Sequence, residues 1–203
     1  SQYRLVGQPL KRLDGLAKVT GQALFGIDVK VPGMLYATVR QSPVFGGEVL
    51  RYDESTALSV KGVVQVVEIL NGVAVVAEKF WQAKKGADAL RIEFSGGKSQ
   101  GLDDPKLEQQ LTEALDNLGK AEIVGEKTLD FEYFLPYLAR AIMEPMNCTA
   151  DVRSDRCKVW VPTQFPEVVR DKAAEITGLA PEQVTVHTTY LGGGFGRRGW
   201  DFA

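Results

Sequence analysis

Cys157-Lys158-Val159-Trp160-Val161-Pro162-Thr163-Gln164-Phe165-Pro166 opens the stretch whose reading decides the fold. Its first five residues form a short apolar run that reads as a strand. Pro166 to Ile176 reads as a helix, entered through a proline that needs no N–H partner and stopped by Gly178. Gln183 to Tyr190 is rich in β-branched residues and reads as a second strand. Strand, helix, strand predicts two parallel strands joined by a right-handed crossover, with both carboxyl ends on one edge of the sheet. Two loops meet at that edge. Pro162-Thr163-Gln164-Phe165 leads into the helix amino end, where free N–H groups favour anions. Leu191-Gly192-Gly193-Gly194-Phe195-Gly196-Arg197-Arg198 offers backbone that a ligand can approach closely, followed by two cations suited to phosphate. Their convergence predicts a phosphate-bearing cofactor.

Each part of that constellation has a plainer reading. Glycines serve tight turns without any ligand, Gln164 alone could start a helix, and Arg197 and Arg198 could be solvated surface charges. Gly192, Gly194 and Gly196 give G-x-G-x-G rather than G-x-G-x-x-G, with no helix or acidic ribose partner following, so a dinucleotide site is disfavoured. Only the combination points to a cofactor.

Working outward, Asp103 to Leu118 opens with acidic residues and Pro105 and repeats leucine at 107, 111, 115 and 118. It reads as an amphipathic helix with its leucine face in a core. Ala121 to Glu132 and Asn147 to Val152 read as strands around a proline-bearing loop. Before them, Ser95 to Gly101 has the composition of a flexible connector. Further back, Met34 to Arg40, Val63 to Leu70 and Val73 to Ala77 read as strands, the last two joined at Asn71-Gly72 by a two-residue hairpin turn. Glu78 to Ala89 reads as a helix and Leu90 to Phe94 as a strand. The fold class is α+β, with domains over 1–95 and 105–203 and a linker over 96–104.

Composition narrows the function. With 44% hydrophobic and 25% charged residues and a net charge of −2, the 203-residue chain matches ordinary globular proteins and lacks a basic surface for nucleic acid. No apolar run approaches the roughly 20 residues of a membrane span. The start shows no charged leader followed by an apolar run, and the compartment stays open. Cys148, Cys157 and His187 are too few and too scattered for a zinc or iron–sulfur site, so the two cysteines read as buried or idle thiols.

Four stretches, in order, resemble the xanthine oxidase and aldehyde oxidase family of molybdenum hydroxylases. They are Gln22-Ala23-Leu24-Phe25-Gly26-Ile27-Asp28, Met143-Glu144-Pro145-Met146-Asn147-Cys148-Thr149, Thr163-Gln164 and Gly192-Gly193-Gly194-Phe195-Gly196. Gly196-Arg197-Arg198, Gly33-Met34-Leu35-Tyr36-Ala37 and Pro43-Val44-Phe45-Gly46-Gly47 look most like the isoquinoline oxidoreductase beta-subunit branch. The resemblance implies an α/β-hammerhead domain followed by the beginning of a molybdopterin-binding α/β domain. It implies cofactor-binding roles for Gln164, Gly193, Gly194, Phe195, Gly196 and Arg197, with Gln164 facing an oxygen ligand of molybdenum.

The family's general base, a glutamate near the far end of a longer subunit, matches nothing here, so no catalytic residue and no protein metal ligand are assigned. Glu144 and Glu167 read as structural or surface acids. Arg198-Gly199 stands where purine-oxidising members carry lysine and glutamate, which argues against purine substrates. By resemblance, the complete subunit carries a molybdenum–molybdopterin cofactor and hydroxylates an aldehyde or nitrogen heterocycle with water-derived oxygen. Its implied partners are an iron–sulfur electron-transfer subunit, the remainder of the molybdopterin-binding subunit and a small-molecule substrate, and the isolated chain is expected to hold no cofactor. The rival expectation is a non-catalytic interaction or scaffold domain that keeps the fold.

Overall fold

A computed structural model describes residues 3–118, 127, 129 and 131–199. In chain order the regular elements are α1 Gly15–Val19, β1 Tyr36–Gln41, β2 Val49–Asp53, α2 Ser55–Leu58, β3 Val63–Ile69, β4 Gly72–Ala77, α3 Phe80–Ala89, β5 Arg91–Phe94, α4 Asp104–Asn117, β6 Thr149–Val152, β7 Cys157–Val161, α5 Pro166–Thr177 and β8 Val184–Thr188. The fold is mixed α+β. Two compact units share it, one built from Ser1–Pro32 with Ala139–Ala203, the other from Gly33–Leu138. Packing thus divides the chain differently from composition: residues 96–104 mark where the sequence loosens, and the contacts part elsewhere.

In the Gly33–Leu138 unit, β1, β4 and β3 form an antiparallel sheet with β4 in the centre. Central position explains why β4 is nearly all valine and alanine: Val73, Val75 and Ala77 on one face are fully buried, and Ala74 on the opposite face is buried too. The core adds Ala57, Val66, Ala87 and Leu90. Gly86 lets α3 lie close on the sheet, because a Cβ there would stand 2.8 Å from Val75 Cγ1.

The hairpin turn falls one residue earlier than Asn71-Gly72. Ile69 pairs with Gly72, so Leu70 and Asn71 make the turn and Gly72 opens the strand. Its glycine is explained by packing, since a Cβ at Gly72 would overlap the Arg40 carbonyl of β1. β2, which the sequence pattern did not suggest, pairs with β5 and is joined to it by an Arg51–Glu93 ion pair.

Asp103 caps α4 by accepting a hydrogen bond from the Lys106 N–H at 3.0 Å, with proline in the first turn. Its leucine face is not core: α4 has no buried residue, and Leu111, Leu115 and Leu118 are exposed. The amphipathic period fixed the helix, but a face is buried only where another element covers it. The strand expected over Ala121 to Glu132 falls largely outside the described residues.

In the other unit β7 pairs antiparallel with β6 and parallel with β8, and α5 makes the crossover. Gly178, at φ 71°, ends α5 in the left-handed conformation that glycine adopts without strain. Cys157, Val159, Ala174 and Val184 form the core beneath it. The amino-terminal segment joins this unit beyond the end of β8, where the Tyr190 N–H donates to Leu24 O at 3.2 Å and the Phe25 and Tyr190 rings lie 6.0 Å apart. Glycine at 26 is a packing requirement, because a Cβ there would overlap Asn147 and Pro162.

Candidate functional site

Parallel pairing of β7 and β8 brings the two following loops to one edge of the sheet. The Gln164 N–H donates to Arg198 O at 2.9 Å, which ties the first loop to the end of the second. A Cβ at Gly194 would stand 2.9 Å from Gln164 Oε1, so the Gln164 amide lies directly against the bare backbone of Gly194. Gln164 itself is exposed. Thr163 is buried and sets the approach to α5: its hydroxyl donates to Arg198 O at 3.4 Å and accepts from the Phe165 N–H at 3.1 Å.

The glycine loop is a tight double turn. The Arg197 N–H donates to Gly194 O at 2.8 Å and the Gly199 N–H to Gly196 O at 3.2 Å. Gly193 and Gly196 have φ of 101° and 81°, and between them Phe195 takes φ 50°, a left-handed conformation that costs a side-chain-bearing residue of order 1 kcal/mol. Its ring is 75% exposed. Arg197 is exposed as well. Gln164, Gly193, Gly194, Phe195, Gly196 and Arg197 therefore stand together at one edge, on an open face. Two hollows on the described surface, one lined by Pro166, Glu167, Arg170 and Val186 and the other by residues 51–53 and 90–93, include neither Gln164 nor the glycine loop.

Arg198 is the correction. A solvated surface charge is excluded, because the side chain is fully buried and ion-paired with Glu144 at 3.1 Å. Its Nε donates to Gly193 O at 2.9 Å, Nη1 to Pro162 O at 3.3 Å, and Nη2 to Glu144 O at 2.8 Å. Glu144 is buried too, and its carboxylate accepts from the Gly192 N–H at 2.8 Å, the Asn147 amide at 3.0 Å and the Ile27 N–H at 3.2 Å. Burial pushes the Glu144 carboxyl up, but those three donors and the Arg198 charge together hold it below its ordinary value. Glu144 is thus a structural acid, whereas Glu167 lies on the surface. Sequence reasoning placed Glu144, Pro145 and Asn147 in a motif without seeing their purpose. An acid beside proline and a second arginine after a glycine loop were the available signals, and neither states that the two meet.

Among the described residues no group of three His, Cys, Asp or Glu side chains could hold a metal ion. His187 is occupied as a neighbour of Trp160 across β7 and β8, with rings stacked 5.1 Å apart. Cys157 is buried and Cys148 exposed, so the two thiols differ in setting. No helix is long and apolar enough to cross a membrane among the described residues.

Residues 115–202 match the molybdopterin cofactor-binding domain family. The isoquinoline 1-oxidoreductase subunit beta of Brevundimonas diminuta is 34% identical over 98% of this chain and 28% of its own length. The membrane-bound aldehyde dehydrogenase of Gluconacetobacter polyoxogenes, a protein named for pyrroloquinoline quinone, is 27% identical over 98% of this chain and 28% of its own length. The chain thus spans under a third of the length of these relatives. Quinoline 2-oxidoreductase from Pseudomonas putida 86 superposes with a TM-score of 0.70 at 17% identity, covering 93% of this chain and 31% of the other, a likeness of fold.

Proposed function

We propose that this chain, similar to the molybdopterin cofactor-binding domain family over residues 115–202 and to the beta subunit of an isoquinoline oxidoreductase, is part of a molybdopterin-binding subunit of the xanthine oxidase and aldehyde oxidase family and forms one wall of the cofactor site there. The observation that carries the reading is the Gln164 amide held against Gly194 at the open edge where both loops end. Those residues fit the group. Bare glycine backbone admits a bulky planar ligand, an amide offers a hydrogen-bond donor, and Arg197 supplies an exposed cation for phosphate. No protein ligand to the metal is needed, since a pterin carries its own.

When bound, the molybdenum–molybdopterin cofactor supplies the two-electron redox centre for hydroxylating a carbon with oxygen from water. This chain's residues position and polarise. Gln164 presents its amide nitrogen to an oxygen brought against the loop, and a fixed donor of that kind is worth on the order of 3 kcal/mol where negative charge develops. Gly194 keeps the amide in place by offering no Cβ. The exposed Phe195 ring offers an apolar face to a ligand brought beside it. An aldehyde or nitrogen heterocycle is the proposed substrate class. The general base and most pterin contacts come from the remainder of the subunit, and an iron–sulfur partner takes the electrons. The isolated chain holds no cofactor in this reading.

Gln164→Ala in the complete subunit tests it. Turnover per molybdenum atom falls roughly a hundredfold while folding is retained. An unchanged rate at equal metal content overturns the role of Gln164. Metal and cofactor analysis of the same preparation tests the class: molybdenum near one atom per chain supports it, a quinone with no molybdenum replaces it, and neither group leaves a scaffold domain.

A further inference from the structure

We propose that Arg198 is a positioning residue that sets the spacing between Gln164 and the glycine loop, with the Glu144 carboxylate as the other half of the clamp. The proposal rests on the reading of those two elements as a cofactor wall and names what holds the wall in register.

The argument is geometric. Arg198 serves both loops at once. Its guanidinium reaches Gly193 O at 2.9 Å inside the glycine loop and Pro162 O at 3.3 Å at the end of β7, while its own backbone carbonyl accepts from the Gln164 N–H at 2.9 Å. The donor beside the ligand and the backbone that faces it are thereby referred to one residue. Glu144 closes the arrangement from the other side, accepting from the Gly192 N–H at 2.8 Å while its own N–H donates to Gly192 O at 3.0 Å. A Cβ at Gly192 would overlap the Glu144 side chain, so the two segments are already in contact.

The chemistry selects arginine. A planar guanidinium with five donors in a fixed fork can serve three carbonyls and a carboxylate in separate directions, whereas an ammonium concentrates its donors at one point on a flexible stem. Charge balance against Glu144 needs only a cation, but holding three segments at fixed spacing needs the fork. Lysine at 198 therefore separates the two roles. It keeps the charge pair and loses the spacing.

Residue-resolved amide exchange by nuclear magnetic resonance on the full 203-residue chain, without cofactor, compares wild type with Arg198→Lys and Arg198→Met. The expected result is exchange at least tenfold faster at the Gln164 and Gly192 amides in Arg198→Lys, with the amides of Val159 in β7, Ala174 in α5 and Val186 in β8 unchanged. In the complete subunit the same variant is expected to keep its molybdenum and lose turnover per metal atom at least tenfold. Wild-type protection at Gln164 and Gly192 in Arg198→Lys overturns the proposal. So does a uniform rise across β7, α5 and β8, or failure of Arg198→Lys to fold, since each makes the arginine a general structural tie. Arg198→Met, if it folds, is expected to exceed the lysine variant at both amides, and an equal or smaller effect counts against the clamp. Because exchange is read without cofactor, absence of molybdenum from the complete subunit removes the functional reading and leaves the exchange result standing.

Discussion

The hairpin of β3 and β4 and the knot of Glu144 and Arg198 are both buried centres, and they are built on opposite rules. In the hairpin, Val73 and Val75 are fully buried among other apolar side chains, and no single direction matters. In the knot, a fully buried guanidinium and a buried carboxylate have taken two charges out of water, and they persist because their donors and acceptors are matched. Apolar burial tolerates change in proportion to volume. A buried ion pair tolerates almost none, because removing one partner strands the other.

Arg198→Met breaks the comparison most severely. It leaves Glu144 buried and unpaired, and the expected cost is about 3–5 kcal/mol in urea unfolding of the unit that contains β7. Replacing Glu144 as well recovers only part of that, since the Gly192 and Ile27 N–H groups then lose their acceptor. Val75→Ala, the matching change in the hairpin, removes two methyl groups from a closed core and costs about 2 kcal/mol, read from urea unfolding in the other unit.

Acid separates the two centres more gently. Glu144 is held below its ordinary value in the folded chain, so its contribution to stability is fully present above the ordinary glutamate range and is lost as pH falls through the depressed value. Thermal unfolding of the β7 unit is therefore expected to drop below about pH 4.3, the ordinary glutamate value. The hairpin core has no buried carboxylate to respond. Glu144→Gln should flatten that acid dependence, and an identical pH profile would remove Glu144 as its source.

Gly194→Ala gives the smallest change in stability and sharpens the contrast between fold and site. The added Cβ crowds the end of the Gln164 side chain, a group that can swing away, and touches Leu191 at ordinary contact distance, so stability shifts by less than about 1 kcal/mol. The amide that moves is the one facing the ligand. Turnover per metal atom in the complete subunit is expected to fall roughly tenfold or more, because small displacements of a positioned group are costly to rate.

Legibility followed the same divide. The parallel pair β7 and β8, the crossover α5 and the hairpin of β3 and β4 were readable because periodicity and valine content report burial directly. β2 was missed: Val49-Leu50-Arg51-Tyr52-Asp53 alternates too weakly to stand out, and it is a strand because β5 pairs with it. The leucine repeat of α4 gave the helix and misled about the core, since period reports a face and says nothing of what covers it. At the site, glycines and Gln164 drew notice through local chemistry, whereas Arg198 looked like its neighbour Arg197. One is exposed and the other fully buried, and that difference depends on a glutamate 54 residues away.

The interleaving of the two units also bears on the order in which a ribosome delivers them. Ile27 waits for Glu144 across 117 residues, which contain the whole Gly33–Leu138 unit. At roughly 5–20 residues per second, the amino-terminal segment spends about 6–23 s without its acceptor. The Gly33–Leu138 unit is complete before the unit that carries the site, which closes only when Glu144 reaches a segment synthesised earlier.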